Sequence, residues 1–389
     1  MIYDFDTPLD RTGTDSYKWD IRPGELPMWV ADMDFETAPC VKEAVLRRAR
    51  NGAYGYTVVP DTWTEAYQNW WQRRHGLTIE KDWLIFATGV VPAISSIVRK
   101  LTTPNENVLL MTPVYNIFFN STVNNGCRVL ESPLKYENGV YSIDWADLEK
   151  GLSDPQTSLL ILCNPHNPVG RIWTKEELAG IGDLCKKYHV TVVSDEIHCE
   201  LTGPGLEYTP FAAVNDTCRE ISVTCVSPSK AFNIAGLQSA AVFAADEALR
   251  HKVWRGLNTD ECAEPNIFAC AAVTAALTEG EEWLEQLKDY LWKNREYAAE
   301  YIRQNIPGTY CVPAEATYLL WLDCTRITKE TEKLAAFIRE KTGLIITEGD
   351  EYGKAGQGFL RVNLACARSV VEEGMRRLAE GFRLFREQA

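Results

Sequence analysis

From about residue 84 the chain repeatedly changes its hydrophobic period. Short, almost continuous apolar runs alternate with stretches of helical spacing: "LIFAT" then "PAISSIVRKL", "NVLLMT" then "YNIFFNSTVNN", "SLLILC" then "TKEELAGIGDLCKKY". Three further strand-like runs follow, "TVVSD", "ISVTCV" and "AAVFAA". A strand that is apolar on both faces needs cover on both, and helices between consecutive strands supply it. The pattern therefore predicts an α/β domain on a largely parallel, buried sheet. Ligands of such sheets bind outside the carboxyl ends of the strands, so the residues just after each run are the ones to read for function.

Beyond that region the pattern changes. A long helical stretch, "AEPNIFACAAVTAALTEGEEWLEQLKDYLWKNREYAAEYIRQNIPG", leads to "TYLLWLDC", a helix near 331–342, "GLIIT", "FLRVNLA" and a last helix near 368–386. This predicts a smaller α+β domain. Residues 1–45 precede the first strand unit and are expected to pack with this smaller domain. The predicted division is a large domain over 46–285 and a discontinuous small one made of 1–45 and 286–389.

At 389 residues, 46% apolar and 24% charged, the chain has the composition of a globular protein rather than a disordered one. Its net charge of −14 argues against nucleic acid as a partner, because a phosphate-backbone binder needs a basic face. There is no basic-then-apolar leader and no run of eighteen apolar residues, so neither export nor membrane spanning is expected and the cytoplasm is the expected location. The twelve cysteines include no C-x-x-C pair and the five histidines no H-x-x-x-H spacing, so no metal site is predicted. Cysteines inside runs such as "LLILC" read as small, reduced core residues.

Four strand ends carry notable polar residues. "LIFATGVV" delivers Gly89 ahead of a helical stretch, and "LLILCNPHNPVG" delivers Asn164 and Asn167. "TVVSDEIH" delivers Asp195 and His198, and "ISVTCVSPSK" delivers Ser227, Ser229 and Lys230. Singly, each is ordinary: Gly, Asn-Pro and Ser-Pro mark turns, an Asp after a strand caps helices, and most lysines are solvated. Together they place an amine, a carboxylate, amides and hydroxyls on one rim.

In that order, "NPHNPVG", "SDEIH" and "SPSKAFNIAGLQ" resemble the pyridoxal-phosphate enzymes of the aspartate aminotransferase fold, the class I/II aminotransferase superfamily of fold type I, over almost the whole chain. The opening "LPMWVADMDF" at 26–35 is similar to the branch of cystathionine β-lyases known as the MalY/PatB type. The resemblance implies pyridoxal 5'-phosphate as cofactor, with Lys230 forming the internal Schiff base and moving the substrate Cα proton. Asp195 would pair with the ring nitrogen, Tyr115 would stack on the ring, and Asn167 would hydrogen-bond its hydroxyl beside the substrate. The backbone N–H groups of Gly89, Val90 and Val91 would hold the phosphate, helped by the hydroxyls of Ser227 and Ser229. Tyr56 would reach the phosphate from a neighbouring subunit, so a homodimer with a shared site is implied. Arg361, read as lying on an edge strand, would grip the substrate α-carboxylate, and the backbone of Ala31 would approach the substrate above Trp29.

Two departures matter. The family's phosphate-binding arginine eight residues after the lysine is Gln238 here, and the tyrosine three after the aspartate is His198, a group that could change protonation near neutrality. The apolar mouth, with Trp29, Tyr115 and Phe35, offers no evident clamp for a second carboxylate. The implied activity is a carbon–sulfur β-lyase on cystathionine- or cysteine-type amino acids. An aminotransferase is the alternative, and a regulatory binding protein on the same fold is a third reading.

Overall fold

The computed structural model describes residues 2–388. Its main sheet has seven strands, in the order Leu84–Ala87, Ala240–Phe243, Ser222–Val226, Thr191–Asp195, Thr157–Cys163, Asn107–Thr112 and Arg128–Pro133. All run parallel except Ala240–Phe243, which is antiparallel to both of its neighbours. Six carboxyl ends and the amino end of the reversed strand therefore share one rim.

The pleat divides each strand between two cores. Val108, Leu110, Ile161 and Val223 join one apolar cluster with Ile94, Ile97 and Val98 of the helix Val90–Leu101. Leu109, Met111, Leu160 and Val192 join another on the opposite face, with Leu178, Ile181 and Cys185 of the helix Lys175–Lys187. Alternate residues thus face opposite helix layers, as the two-residue strand period requires. The Lys175–Lys187 helix starts at a capping box: Thr174 Oγ1 accepts from the Glu177 N–H, and Glu177 accepts from the Thr174 N–H. That exchange satisfies two amides the helix cannot use itself.

The second sheet is antiparallel, in the order Tyr310–Cys311, Leu319–Asp323, Phe359–Asn363 and Thr347–Glu348. Arg361 therefore lies on an inner strand, between Trp321 and Thr347, and not on the edge that the sequence suggested. Helices Thr331–Thr342 and Arg368–Gln388 cover this sheet, with Ile338, Leu378 and Phe382 packed on Leu320, Leu360 and Val362.

The N-terminal segment is shared between the two bodies rather than given to one. Leu26–Pro27 pairs in parallel with Leu344–Ile345, and Met28 joins the small-sheet core. Phe5, Met33, Phe35 and Val41 pack instead with Trp63, Trp70, Phe232 and Trp283. The helix Glu281–Asn305 does the same: Trp283, Leu284 and Leu287 serve the first core, Ala298 and Ile302 the second. Positions 285 and 286 therefore lie in the second turn of one continuous helix, with no linker between them.

Residues 29–33 cross between the two bodies as an irregular strap whose carbonyls are all taken by side chains. Trp29 accepts from Arg361, Val30 and Asp32 from Asn363, Ala31 from Lys230 and Tyr318, and Met33 from Arg11 and Asn233. Backbone without a sheet partner must find its hydrogen bonds elsewhere, and here they come from residues up to 333 positions away.

Candidate active site

A cavity of about 280 Å³ opens on the shared rim and runs from the end of Leu84–Ala87 to the point where the strand order turns back, between Thr157–Cys163 and Asn107–Thr112. That switch point is where an open α/β sheet leaves a crevice. Of the residues singled out in the sequence, Ala31, Gly89, Val90, Val91, Tyr115, Asn167, Asp195, His198, Ser229, Lys230 and Gln238 line it.

Lys230 follows the Ser222–Val226 strand, and its Nζ donates to the Ala31 carbonyl at 2.6 Å. Burial lowers its pKa from 10.5 to about 8; Asp32 and Asp195 oppose that shift and Arg361 adds to it. Asp195, at the end of its strand, is 3% exposed and accepts from the Ile197 N–H at 3.1 Å. Burial pushes its carboxyl up from 3.8 to about 7, which the Ile197 N–H and Lys230 only partly offset. It is thus a buried acid short of a close cation.

His198 differs from expectation. Burial, together with the positive charges of Lys230 and Arg361, depresses its pKa to about 3, so its ring stays neutral at physiological pH rather than switching there. Its Nδ1 has no hydrogen-bond partner, and its ring lies at 75° to that of Tyr318, with the centroids 6.3 Å apart. Tyr115 is raised to about 12 by burial, so its phenol stays protonated.

Six residues named from the sequence do not line the cavity: Trp29, Phe35, Asn164, Ser227, Arg361 and Tyr56. Phe35 is buried in the core with Trp63 and Trp283, Trp29 borders a different hollow, and the Asn164 amide donates to the Thr209 carbonyl at 2.9 Å. Ser227 is buried and its hydroxyl donates to the Ser239 carbonyl at 2.6 Å while accepting from the Ser229 N–H, so its single proton is spent on the turn. Arg361 lies behind the wall, 5% exposed, over the Tyr352 ring at 5.0 Å. Its Nη2 donates to the Trp29 carbonyl, its Nε has no partner, and among the described residues no carboxylate forms an ion pair with it. Tyr56 is fully exposed and borders a second hollow of about 620 Å³, which shares Gln238 with the first.

Sequence reading missed Thr88, Ser239 and Tyr318. Ser239 precedes a strand, and because Ala240–Phe243 is reversed, the residues before it, not those after it, point to the rim. A further group, His75, Cys199 and Glu200, has ligand atoms within 4.8 Å of one another. Glu200 is already engaged by His75 at 2.6 Å, Trp70 at 2.6 Å and Arg74 at 2.9 Å, so it reads as a paired buried carboxylate.

The donor set fits the cofactor that the sequence resemblance implies. The cavity holds an amine of lowered pKa, a buried carboxylate short of a cation, and orphaned buried oxygens on Asn167 and Ser239. At its other end the helix Val90–Leu101 begins, where the first N–H groups have no intrahelical acceptor. Gly89 stands at that start with φ +156°, and a Cβ there would meet Pro92 Cδ at 3.2 Å. A flat ring with a cationic nitrogen at one end and a phosphate at the other matches this layout.

Known proteins agree with it. The sequence profile of the family described as Aminotransferase class I and II matches residues 26–378. Cystathionine beta-lyase PatB of Bacillus subtilis is 40% identical over 381 residues, covering 96% of this chain and 98% of that protein. A PLP-bound protein of Clostridium difficile, provisionally described as an aminotransferase, superposes with a TM-score of 0.95 at 38% identity, covering 98% of this chain and 100% of that one. Cystalysin of Treponema denticola, whose structure contains pyridoxal 5'-phosphate, does so with a TM-score of 0.95 at 31% identity, over 99% and 100%. By profile, by identity along nearly its whole length and by fold, this chain belongs to the class I and II aminotransferase family, in the branch that includes PatB.

Proposed function

We infer that this protein is a pyridoxal-phosphate-dependent carbon–sulfur β-lyase that cleaves cystathionine- or cysteine-type amino acids to a thiol, pyruvate and ammonia. The observation that carries the reading is one cavity holding the lowered-pKa amine of Lys230 and the buried Asp195, with the acid-free Arg361 behind its wall. The likeness to PatB favours the lyase over the aminotransferase outcome.

When bound, the cofactor supplies an aldehyde that takes up an amino group and a ring that draws electrons from the substrate Cα. Lys230 presents the amine that holds the cofactor at rest and removes the Cα proton in turnover. Asp195 would hold a proton at the ring nitrogen, and Asn167 and the neutral His198 would serve the ring hydroxyl. Tyr115 would cover the ring, and the N–H groups at Gly89, Val90 and Val91 would receive the phosphate, helped by the Ser229 hydroxyl. Gln238 adds no charge, so phosphate binding would rest on these amides and on the Ser229 hydroxyl. Arg361 exchanges the Trp29 carbonyl for the substrate carboxylate, a stronger, charge-assisted partner, and Ala31 and Asn167 border the substrate.

The experiment that tests this reading supplies pyridoxal phosphate and L-cystathionine without any keto acid and follows pyruvate and free thiol. Equal amounts of both are expected. If neither forms, and an added keto acid is converted to an amino acid, the protein is an aminotransferase. For Arg361→Ala, KM for the amino acid is expected to rise on the order of 10²-fold, the worth of one charged bidentate contact; an unchanged KM removes the carboxylate role.

We further propose a homodimer in which Tyr56 of one copy reaches the phosphate end of the other's cavity. Full exposure of Tyr56 beside a hollow that shares Gln238 with the site supports it. Light scattering should give twice the chain mass, and Tyr56→Phe should weaken cofactor retention several-fold, one hydrogen bond's worth. A monomer that retains full activity would remove this arrangement.

A further inference from the structure

We propose that Tyr318 is a positioning residue for the reaction: its hydroxyl fixes the Ala31 carbonyl as the acceptor on which the Lys230 ammonium rests after it takes the substrate proton. The proposal rests on the functional reading above only in taking Lys230 as the base.

The Ala31 carbonyl accepts two hydrogen bonds, from Lys230 Nζ at 2.6 Å and from Tyr318 Oη at 2.9 Å. Ala31 belongs to the irregular strap, where no sheet ladder fixes the carbonyl's direction. A buried tyrosine needs some acceptor for its hydroxyl, so that bond alone is unremarkable. What distinguishes Tyr318 is that it shares its acceptor with the reactive amine, and that its own backbone is held with unusual force.

The residue before it, Thr317, has φ +71°, a conformation that a β-branched side chain adopts only under constraint. The constraint is visible. The Thr317 N–H donates to the Leu201 carbonyl at 2.7 Å, and Leu364 N–H donates to the Tyr318 carbonyl at 2.9 Å. Arg295 Nη2 donates to the carbonyls on either side of Tyr318, Thr317 at 3.0 Å and Leu319 at 2.9 Å. Arg295 is 8% exposed and, among the described residues, forms no ion pair; its charge is spent on those two carbonyls and on the Trp292 ring. Burying an arginine without an acid is costly, and the strain at Thr317 adds to that cost. Both fall on the backbone that carries one phenol, which is 2% exposed and lies at 75° to the ring of His198.

In the proton step the Cα–H bond breaks, a new N–H bond forms on Nζ, and the electron pair stays with the substrate carbon. The charge that appears on Lys230 does so in a dry site. The groups that face it are Asp195, His198 and Tyr115 from the main body, Asp32 from the strap and Arg361 from the small sheet. A carbonyl already in place, 2.6 Å from Nζ, stabilises that charge without reorganisation. With the Tyr318 hydroxyl gone, the strap carbonyl can turn away.

Tyr318→Phe keeps the ring and removes only the hydroxyl. In the cofactor-free protein, acetic anhydride labelling of Lys230 across pH, read by peptide mass spectrometry, should show a midpoint lowered by about half a unit, because the ammonium has lost a fixed acceptor. In the holoenzyme, exchange of the Cα hydrogen of L-alanine with deuterated water should slow about tenfold at unchanged KM, one hydrogen bond's worth of transition-state stabilisation. L-Alanine has no β leaving group, so this readout holds whether the enzyme completes turnover as a lyase or as an aminotransferase. A parental value for either quantity overturns the proposal.

Discussion

Replacing Lys230 with alanine is expected to lower pyruvate release from L-cystathionine by more than about 10⁴-fold, because one substitution removes both the cofactor's anchor and the base. The fold should survive. Lys230 is a desolvated cation whose pKa has been driven down from 10.5 to about 8, so the native state gives up ammonium stability to hold it. The linkage has a definite sign: between about pH 8 and 10.5 the unfolded chain binds more protons at this lysine than the folded one, so stability rises with pH across that window. Below about pH 8 both states are protonated and the penalty is present in full. The difference in urea resistance between the cofactor-free parent and Lys230→Ala should therefore shift in the parent's favour between pH 8 and 10, the buried thiols that ionise in the same range being common to both. Substantial turnover in the variant would remove Lys230 from the reaction.

For Asp195→Asn the expected loss of turnover is on the order of 10³-fold, with normal folding and weaker cofactor retention. Asparagine matches aspartate in shape but carries no charge to hold a proton on the ring nitrogen. The pH signature again separates chemistry from packing. With its carboxyl raised from 3.8 to about 7 by burial, the folded cofactor-free protein binds more protons at Asp195 than the unfolded chain within that range. Its contribution to stability is thus full below about pH 4 and is lost as pH rises through 7. Asp195→Asn should flatten this part of the stability profile. So should loading the parent with cofactor, since a cation at the ring nitrogen would favour the carboxylate. Parental turnover in Asp195→Asn would exclude the ion-pair role.

How much of this could be read from the chain follows from where the information lies. The strands and helices were legible because an apolar run or a 3.6-residue period is written in neighbouring residues: the helices expected near 331–342 and 368–386 are Thr331–Thr342 and Arg368–Gln388. The rim residues were legible for the same reason, since parallel strands with helical crossovers must present their carboxyl ends together. Lys230, Asp195, Asn167 and Gly89 could thus be assigned to one cavity before any contact was known.

The tertiary structure decided what those groups can do there. It reversed the Ala240–Phe243 strand and so brought Ser239 to the rim. It spent the Ser227 proton on a turn, placed Arg361 on an inner strand, and set His198 where burial keeps it neutral. It also joined Lys230 to Ala31 and Tyr318 to the same carbonyl, across 199 and 287 positions of sequence. Strand direction, desolvation and hydrogen-bond partners depend on residues far along the chain. The sequence by itself therefore determined which chemical groups stand at the strand ends, and only the packing of distant segments determined their charge, their partners and which of them remain free to act.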